Sequence, residues 1–174
     1  MSTAAAVIDT LGTDASDEDI RQLADLLLDA VDDNAAVSFM PDLTRGAAAA
    51  WWRSMLEEAG ARGAVLVARL DAAIVGTVQL HPSWAPNQPH RGDIAKLIVH
   101  RRARGRGIAR ALMQRVEQLA HANGFTLLML NTRSGGPPER LYASLGWTRS
   151  GEVPDFALNP DGALHATAFY WKRI

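Results

Sequence analysis

Between Val99 and Arg110 a β-rich run gives way to a helical pattern within a few residues, by way of Gly105 and Gly107. A strand that turns this sharply into a helix commits the chain to a mixed α/β arrangement. Glycines here let the backbone approach a ligand closely and leave successive N–H groups facing outward. The helix start adds its own unpaired donors and the positive end of its dipole. Five arginines, Arg101, Arg102, Arg104, Arg106 and Arg110, surround that point. The combination suits a dianion, most simply a pyrophosphate; the plainer reading is a basic helix start that is merely solvated. A Gly-x-Gly-x-x-Gly dinucleotide turn would need a small residue at Arg110 and would open the first strand–helix unit, and neither condition holds. A Gly-Lys-Ser/Thr phosphate loop is absent as well.

The rest of the chain predicts how that turn is framed. Ala4 to Leu11 reads as a short strand. Ser16 and Asp19 form a capping-box pattern ahead of Ile20, Leu23, Leu27 and Val31 at helical spacing, and a second helix runs from about Leu43 to Glu58. Ala64–Leu70 and Ile74–His81 predict a hairpin about Asp71-Ala72-Ala73, and the prolines of Pro82 to Arg91 require a loop. Asp93–His100 is the strand before the glycine turn, and the helix after it spans about Gly107 to Ala122. Phe125–Asn131 then reads as a strand, Glu139–Leu145 as a short helix, and Trp147 to Lys172 as two more strands. The expected fold is one domain over 1–174, a mixed and mostly antiparallel sheet of about six or seven strands flanked by about four helices.

Composition narrows the function classes. The chain has 174 residues, no cysteine and a net charge of −1, so it excludes disulfides, thiolate metal sites and a cysteine nucleophile. Near-neutral charge argues against nucleic acid or an anionic membrane as partner, and no aromatics interleave with the arginines. No apolar run approaches a membrane span, and the N-terminus lacks a basic lead-in and reaches Asp9 early, which predicts a cytoplasmic protein. The five histidines show no i, i+4 pair, so no metal site is expected.

Arg102-x-x-Gly105-x-Gly107, followed by Ile108-Ala109 and preceded by Leu97-Ile98-Val99, resembles the acetyl-CoA signature of the GNAT N-acetyltransferase superfamily. Later landmarks fall in the family's order: Asn131 ending the next strand, Tyr142 on a helix, and Leu145-Gly146-Trp147 where the family usually has Leu-Gly-Phe. The likeness covers roughly Ala64 to Lys172. Two further segments, Ala36–Leu43 and Asn159–His165, are similar to the tabtoxin-resistance subgroup, which acetylates an amino-acid-like β-lactam. The resemblance implies that two parallel strands splay apart and that coenzyme A enters the wedge. Leu97, Ile98 and Val99 would pair with its pantetheine arm, and Arg102, Arg104, Gly105, Arg106, Gly107, Ile108, Ala109 and Arg110 would hold its pyrophosphate. It implies acetyl-CoA as co-substrate and a small-molecule amine as acceptor, in a monomer or homodimer. A peptide amine, or a non-catalytic acetyl-CoA sensor, is the alternative.

Acetyl transfer requires a neutral amine, a polarised carbonyl and a stabilised thiolate. An alkyl amine of pKa ~10.4 is neutral at pH 7 only at a cost of ~4.6 kcal/mol, an α-amine of pKa ~8 at ~1.4 kcal/mol. Asp93 is the candidate base, directly or through water, or else a strand-start cap. Strand alternation puts Asp93, Ala95, Leu97 and Val99 on one face unless the family's usual bulge breaks the count. Tyr142 parallels the tyrosine that hydrogen-bonds the coenzyme sulfur in the family. Full proton transfer from a phenol to a thiolate is uphill by ~2 kcal/mol, so a hydrogen bond is the better-founded role. Asn131 is a candidate for coenzyme or acceptor, or a turn former. Phe39, Trp52 and Trp84 are candidate walls of the acceptor cleft, and Asp42 and Asp155 candidate partners for a cationic amine.

Overall fold

The computed structural model describes residues 6–174, so Ala4 and Ala5 of the expected first strand lie outside the described residues. The element order is β1 (Val7–Leu11), α1 (Asp17–Asp32), α2 (Arg45–Glu58), β2 (Ala64–Leu70), β3 (Ala73–Pro82), β4 (Arg91–Val99), α3 (Ile108–Ala122), β5 (Leu127–Arg133), α4 (Pro137–Ser144), β6 (Thr148–Leu158) and β7 (Leu164–Arg173). The strands form one seven-stranded sheet in the order β1-β2-β3-β4-β5-β7-β6. Only the β4–β5 pair is parallel. The mixed, mostly antiparallel sheet with four helices expected from the sequence is the one observed. Among the described residues no helix is long and apolar enough to cross a membrane.

Local chemistry accounts for the element ends. Ser16 caps α1 in a reciprocal capping box with Asp19, and Asp17, Glu18 and Asp19 place negative charge on the first turn, where the helix dipole favours it. Thr44 caps α2 by accepting from the Ala47 N–H. The β2–β3 turn needs two residues, not three: Asp71 and Ala72 both adopt positive φ, and Ala73 already belongs to β3. The short helix begins at Pro137, two residues before Glu139, because prolines in the first turn are preset for helical φ and their missing N–H groups cost nothing there.

Two apolar layers hold the sheet. Leu23, Leu26 and Leu27 of α1 and Trp52 and Leu56 of α2 bury against Val65, Val67, Ile74 and Ile98. Leu112, Met113 and Val116 of α3 bury on the other face against Leu66, Val78, Leu80, Leu128 and Leu130. Strand β2 is thus buried on both sides, which explains its uninterrupted apolar run.

Strand β4 changes face midway. Gln79 pairs with Ala95 and Thr77 with Ile98, so β4 carries one extra residue, and Lys96 within it has φ 51°. The bulge sends Ile94 to the α3 layer and Ile98 to the α1–α2 layer, although four residues would keep them together in a regular strand. Leu97 and Val99 therefore join the α3 side, and the simple alternation from Asp93 does not hold.

Trp52, expected at the acceptor cleft, is instead a fully buried core residue between the two N-terminal helices and the sheet. Its helical spacing with Leu56 was the signal for burial. Truncation should act on stability: Trp52→Ala is expected to cost about 3–5 kcal/mol, read as a lowered melting temperature. A variant that melts like the parent would contradict this placement.

Candidate active site

The site grows from the separation of two strands. β4 and β5 pair only at Arg91–Leu127, Gly92–Leu128 and Asp93–Met129 and then diverge, which leaves the β5-facing edge of β4 without a ladder from Ile94 to Val99. At the far end of that edge His100 caps a single 3-10 turn, Arg101–Ala103, and the chain passes through Gly105 and Gly107 at φ 76° and 75°. Gly107 is the N-cap of α3 and contributes no side-chain cap. The first bond into the helix is Ala111 N–H to Gly107 O at 3.0 Å. The backbone N–H groups of Arg104 to Arg110 accordingly have no acceptor among the described residues. A Cβ on either glycine would meet nothing within 4 Å, so glycine is needed for its φ and the space beside it is open.

That space is a cleft of about 540 Å³. It is lined by Leu97, Ile98, Val99, Arg104, Gly105, Gly107, Ile108, Ala109 and Arg110, with the end of α1 and Pro137, Pro138 and Leu141 opposite. Nine of the residues expected to hold a coenzyme thus share one cleft. Arg102 and Arg106 are exposed and do not line it. Two members of the arginine cluster are already engaged by the last turn of α1. Arg101 donates to Asp29 at 2.6 Å through Nε and at 3.1 Å through its backbone N–H. Arg104 donates to Asp33 at 2.6 Å. That hydrogen bond holds the Asp33 carboxyl below its ordinary value. Arg110 donates to Ser144 Oγ at 2.8 Å and ties the start of α3 to α4.

A second cleft of about 350 Å³ continues from the first and shares Val37, Leu97, Arg133 and Pro138 with it. Asn131 and Tyr142 line it, as do Lys96, Thr132, Arg133, His165 and Thr167. Tyr142 is 5% exposed, packed between Trp147 and Tyr170, and its hydroxyl has no hydrogen-bond partner among the described residues. Burial, and then the neighbouring Tyr170, push its phenol well above the ordinary value of 10.0. The hydroxyl therefore holds its proton, on a residue that lines the smaller cleft.

The other expected acceptor-side residues do not assemble there. Asp93 lines neither cleft; it pairs with Arg91 at 3.1 Å where β4 and β5 part, opposite His81. Burial, and then the Lys96 charge, push the His81 imidazole below its ordinary value. Phe39 packs edge-on against Trp51 at 5.1 Å, and Trp84 is 91% exposed in the β3–β4 connection. Asp42 is exposed ahead of α2, and Asp155 is exposed on a bulge of β6 at φ 51°. No aspartate or glutamate lines the smaller cleft. The sequence reading missed Lys96, Arg133 and His165 as cleft residues. Strand alternation from Asn131 to Arg133 was a usable signal for the second; nothing local marks the other two.

The chain has relatives among known proteins. Residues 23–147 match the family model described as Acetyltransferase (GNAT) family. The chain is 32% identical over 128 residues to an uncharacterized N-acetyltransferase in the hisH-hisA intergenic region of Azospirillum brasilense, covering 72% of this chain and 73% of that one. It is 33% identical over 93 residues to the N-acetylaspartate synthetase of Danio rerio, a match that covers 53% of this chain but spans only 32% of that longer protein. The crystal structure of a GNAT superfamily phosphinothricin acetyltransferase from Sinorhizobium meliloti, in complex with AcCoA, superposes with a TM-score of 0.82 at 17% identity, over 98% of this chain and 89% of that one. With its splayed strands, its glycine turn and a family match over most of its length, the chain belongs to the GNAT family of acetyltransferases.

Proposed function

We propose that this cytoplasmic enzyme moves acetyl from acetyl-CoA to the primary amine of a small molecule, an amino-acid-like toxin or antibiotic that the transfer disarms. The observation that carries the reading is the run of unpaired N–H groups from Arg104 to Arg110, which opens into the same cleft as the unpaired edge of β4. Such a run at a helix start fits a pyrophosphate, and an open strand edge fits a pantetheine arm laid along it as an added strand. Acetyl-CoA supplies the activated acetyl group and a thiolate leaving group. Three features of the acceptor side favour a small molecule. The cleft has the size of a small-ligand pocket. The names of the Danio rerio and Sinorhizobium meliloti proteins each specify a single small compound. Ala36, Val37 and Ser38 in one toxin-subgroup segment and His165 in the other line the same cleft.

The residues divide the work by position. Leu97 to Val99 orient the arm through their backbone, and Arg110 adds charge beside the phosphates. Tyr142 Oη keeps its proton and donates a hydrogen bond to the sulfur as negative charge develops there; the raised phenol value makes full transfer still less favourable than for a free tyrosine. Asn131 fixes coenzyme or acceptor from the end of its strand. Asp93 stands outside the cleft and acts as base through water at the point where the strands part.

Gly107→Ala should lose about 1–2 kcal/mol of stability to its left-handed φ and bind acetyl-CoA more weakly by calorimetry; an unchanged Kd would show that the turn is not the cradle. Tyr142→Phe should lower kcat about 10²-fold while acetyl-CoA affinity stays near the parent value, and equal losses would reduce the tyrosine to packing. In the parent no fall in rate should trace to Tyr142 ionisation below its ordinary value of 10.0, because burial keeps it protonated there. Asp93→Asn should slow the reaction and recover as pH rises and the amine loses its proton unaided; an unaltered pH profile would leave the base elsewhere. Acetylation of peptide amines in preference to every small amine would overturn the acceptor assignment.

A further inference from the structure

The smaller cleft holds two cations, Lys96 and Arg133, and neither makes an ion pair among the described residues. Lys96 reaches the cavity from the bulge of β4, at φ 51°, half-buried. Its Nζ donates to Ser38 Oγ at 3.1 Å and lies 5.9 Å from the Phe39 ring centre and 5.6 Å from that of Trp51. Among the described residues it makes no ion pair, whereas the half-buried Arg69, Arg91 and Lys172 each do. Arg133, the second cation of the cleft, is occupied otherwise: its Nη1 donates to Asn34 O at 3.1 Å and Asn159 Oδ1 at 3.0 Å. Burial pushes the Lys96 ammonium below its ordinary value, a cost that two aromatic ring faces and one hydroxyl offset only in part.

We infer that Lys96 is a specificity-determining residue that binds a carboxylate carried by the acceptor next to its amine. The inference rests on the acetyltransferase reading above and names the acceptor's class: amino acids and their close analogues, not polyamines, basic peptides or other polycations. A carboxylate entering this cleft meets Lys96 and no competing acid, and regains for the ammonium the partner that burial denied it. A polycation meets two positive side chains and no negative one, an arrangement that discriminates by repulsion as well as by attraction. Asp42 and Asp155, the acids expected to attract an amine, do not line the cleft. Because the lysine lines the acceptor cleft and not the larger one, its effect belongs to the acceptor alone.

The test is free-thiol release by the parent enzyme with each standard amino acid, its α-carboxamide, putrescine and tri-alanine. The best amino acid should exceed its own carboxamide about 10–100-fold in kcat/KM. The carboxamide has the less basic amine, so chemistry at the nitrogen alone would favour it and the comparison is conservative. Lys96→Met should erase that preference through KM, leave kcat within about threefold, and retain the melting-temperature rise given by acetyl-CoA; Lys96→Arg should restore part of the preference. Parent enzyme that acetylates the carboxamide, putrescine or tri-alanine as well as the acid overturns the inference alone. So does a Lys96→Met variant that loses acid and amide equally. Release with none of the amines overturns the inference together with the reading beneath it.

Discussion

The parting of β4 from β5 beyond Asp93 is the constraint on which the active site depends. A strand in the middle of a sheet ordinarily satisfies both edges, and leaving one open inside a protein costs free energy unless something else pairs with it. Here the loss begins three residue pairs into the only parallel ladder and coincides with the extra residue at Lys96. The bulge turns β4 so that Ile94 and Ile98 anchor opposite layers, and strong packing on both sides holds the strand in place without its neighbour. The open edge is thus stabilised by the hydrophobic layers, and its unused donors and acceptors remain for a ligand that can run as a strand.

Electrostatics around the glycine turn follows from the same economy of placement. α1 ends with Asp29 and Asp33, negative charges at the unfavourable end of its dipole. Arg101 and Arg104 neutralise them and in doing so pin the loop ahead of Gly105 to the helix. The arginine-rich turn is therefore only partly a reservoir of positive charge: part of it is a structural clasp that holds the N–H groups at one angle. Preorganised donors of this kind bind an anion without the cost of ordering a loop at the moment of binding.

Much of this was legible in the sequence because local chemistry decides it. The capping box at Ser16, the tight turn after Leu70 and the two glycines each imply their own backbone geometry, and the periods of α1 and α3 mark their buried stripes. The residues facing the larger cleft follow from continuity along one segment. The acceptor side was far less legible, since it is built from α1–α2, β4, β5, β6 and β7 at once. Trp52 illustrates the difficulty: helical spacing is the same for a core residue and a cleft wall, and only the docking of α2 decides between them. For Asp93 and Lys96 the decision lies in a bulge, which a face count along the strand cannot register. Asp42 and Asp155 stand out in the sequence by charge alone, and charge does not say where a loop or a strand bulge ends up.

The α1–α2 connection at Asn34 and the β6–β7 turn at Asn159 and Asp161 are joined by polar contacts. Asn34 Nδ2 donates to Asp161 at 2.8 Å and its side-chain oxygen accepts from the Asp161 N–H at 3.0 Å. Arg133 reaches the backbone of Asn34 and the side chain of Asn159 together. Residues far apart in the chain are thereby tied together by polar contacts, while Val37 and Phe39 also pack on the α1–α2 layer. In the proposed reading, the coenzyme is held by strand edge and helix start and the acceptor by Lys96 and the loops around it, in clefts that overlap only along part of their walls. On that reading a substitution at a residue lining only the smaller cleft, such as Lys96, is free to leave the larger one intact, the structural condition for a family that keeps one donor while its acceptors diverge.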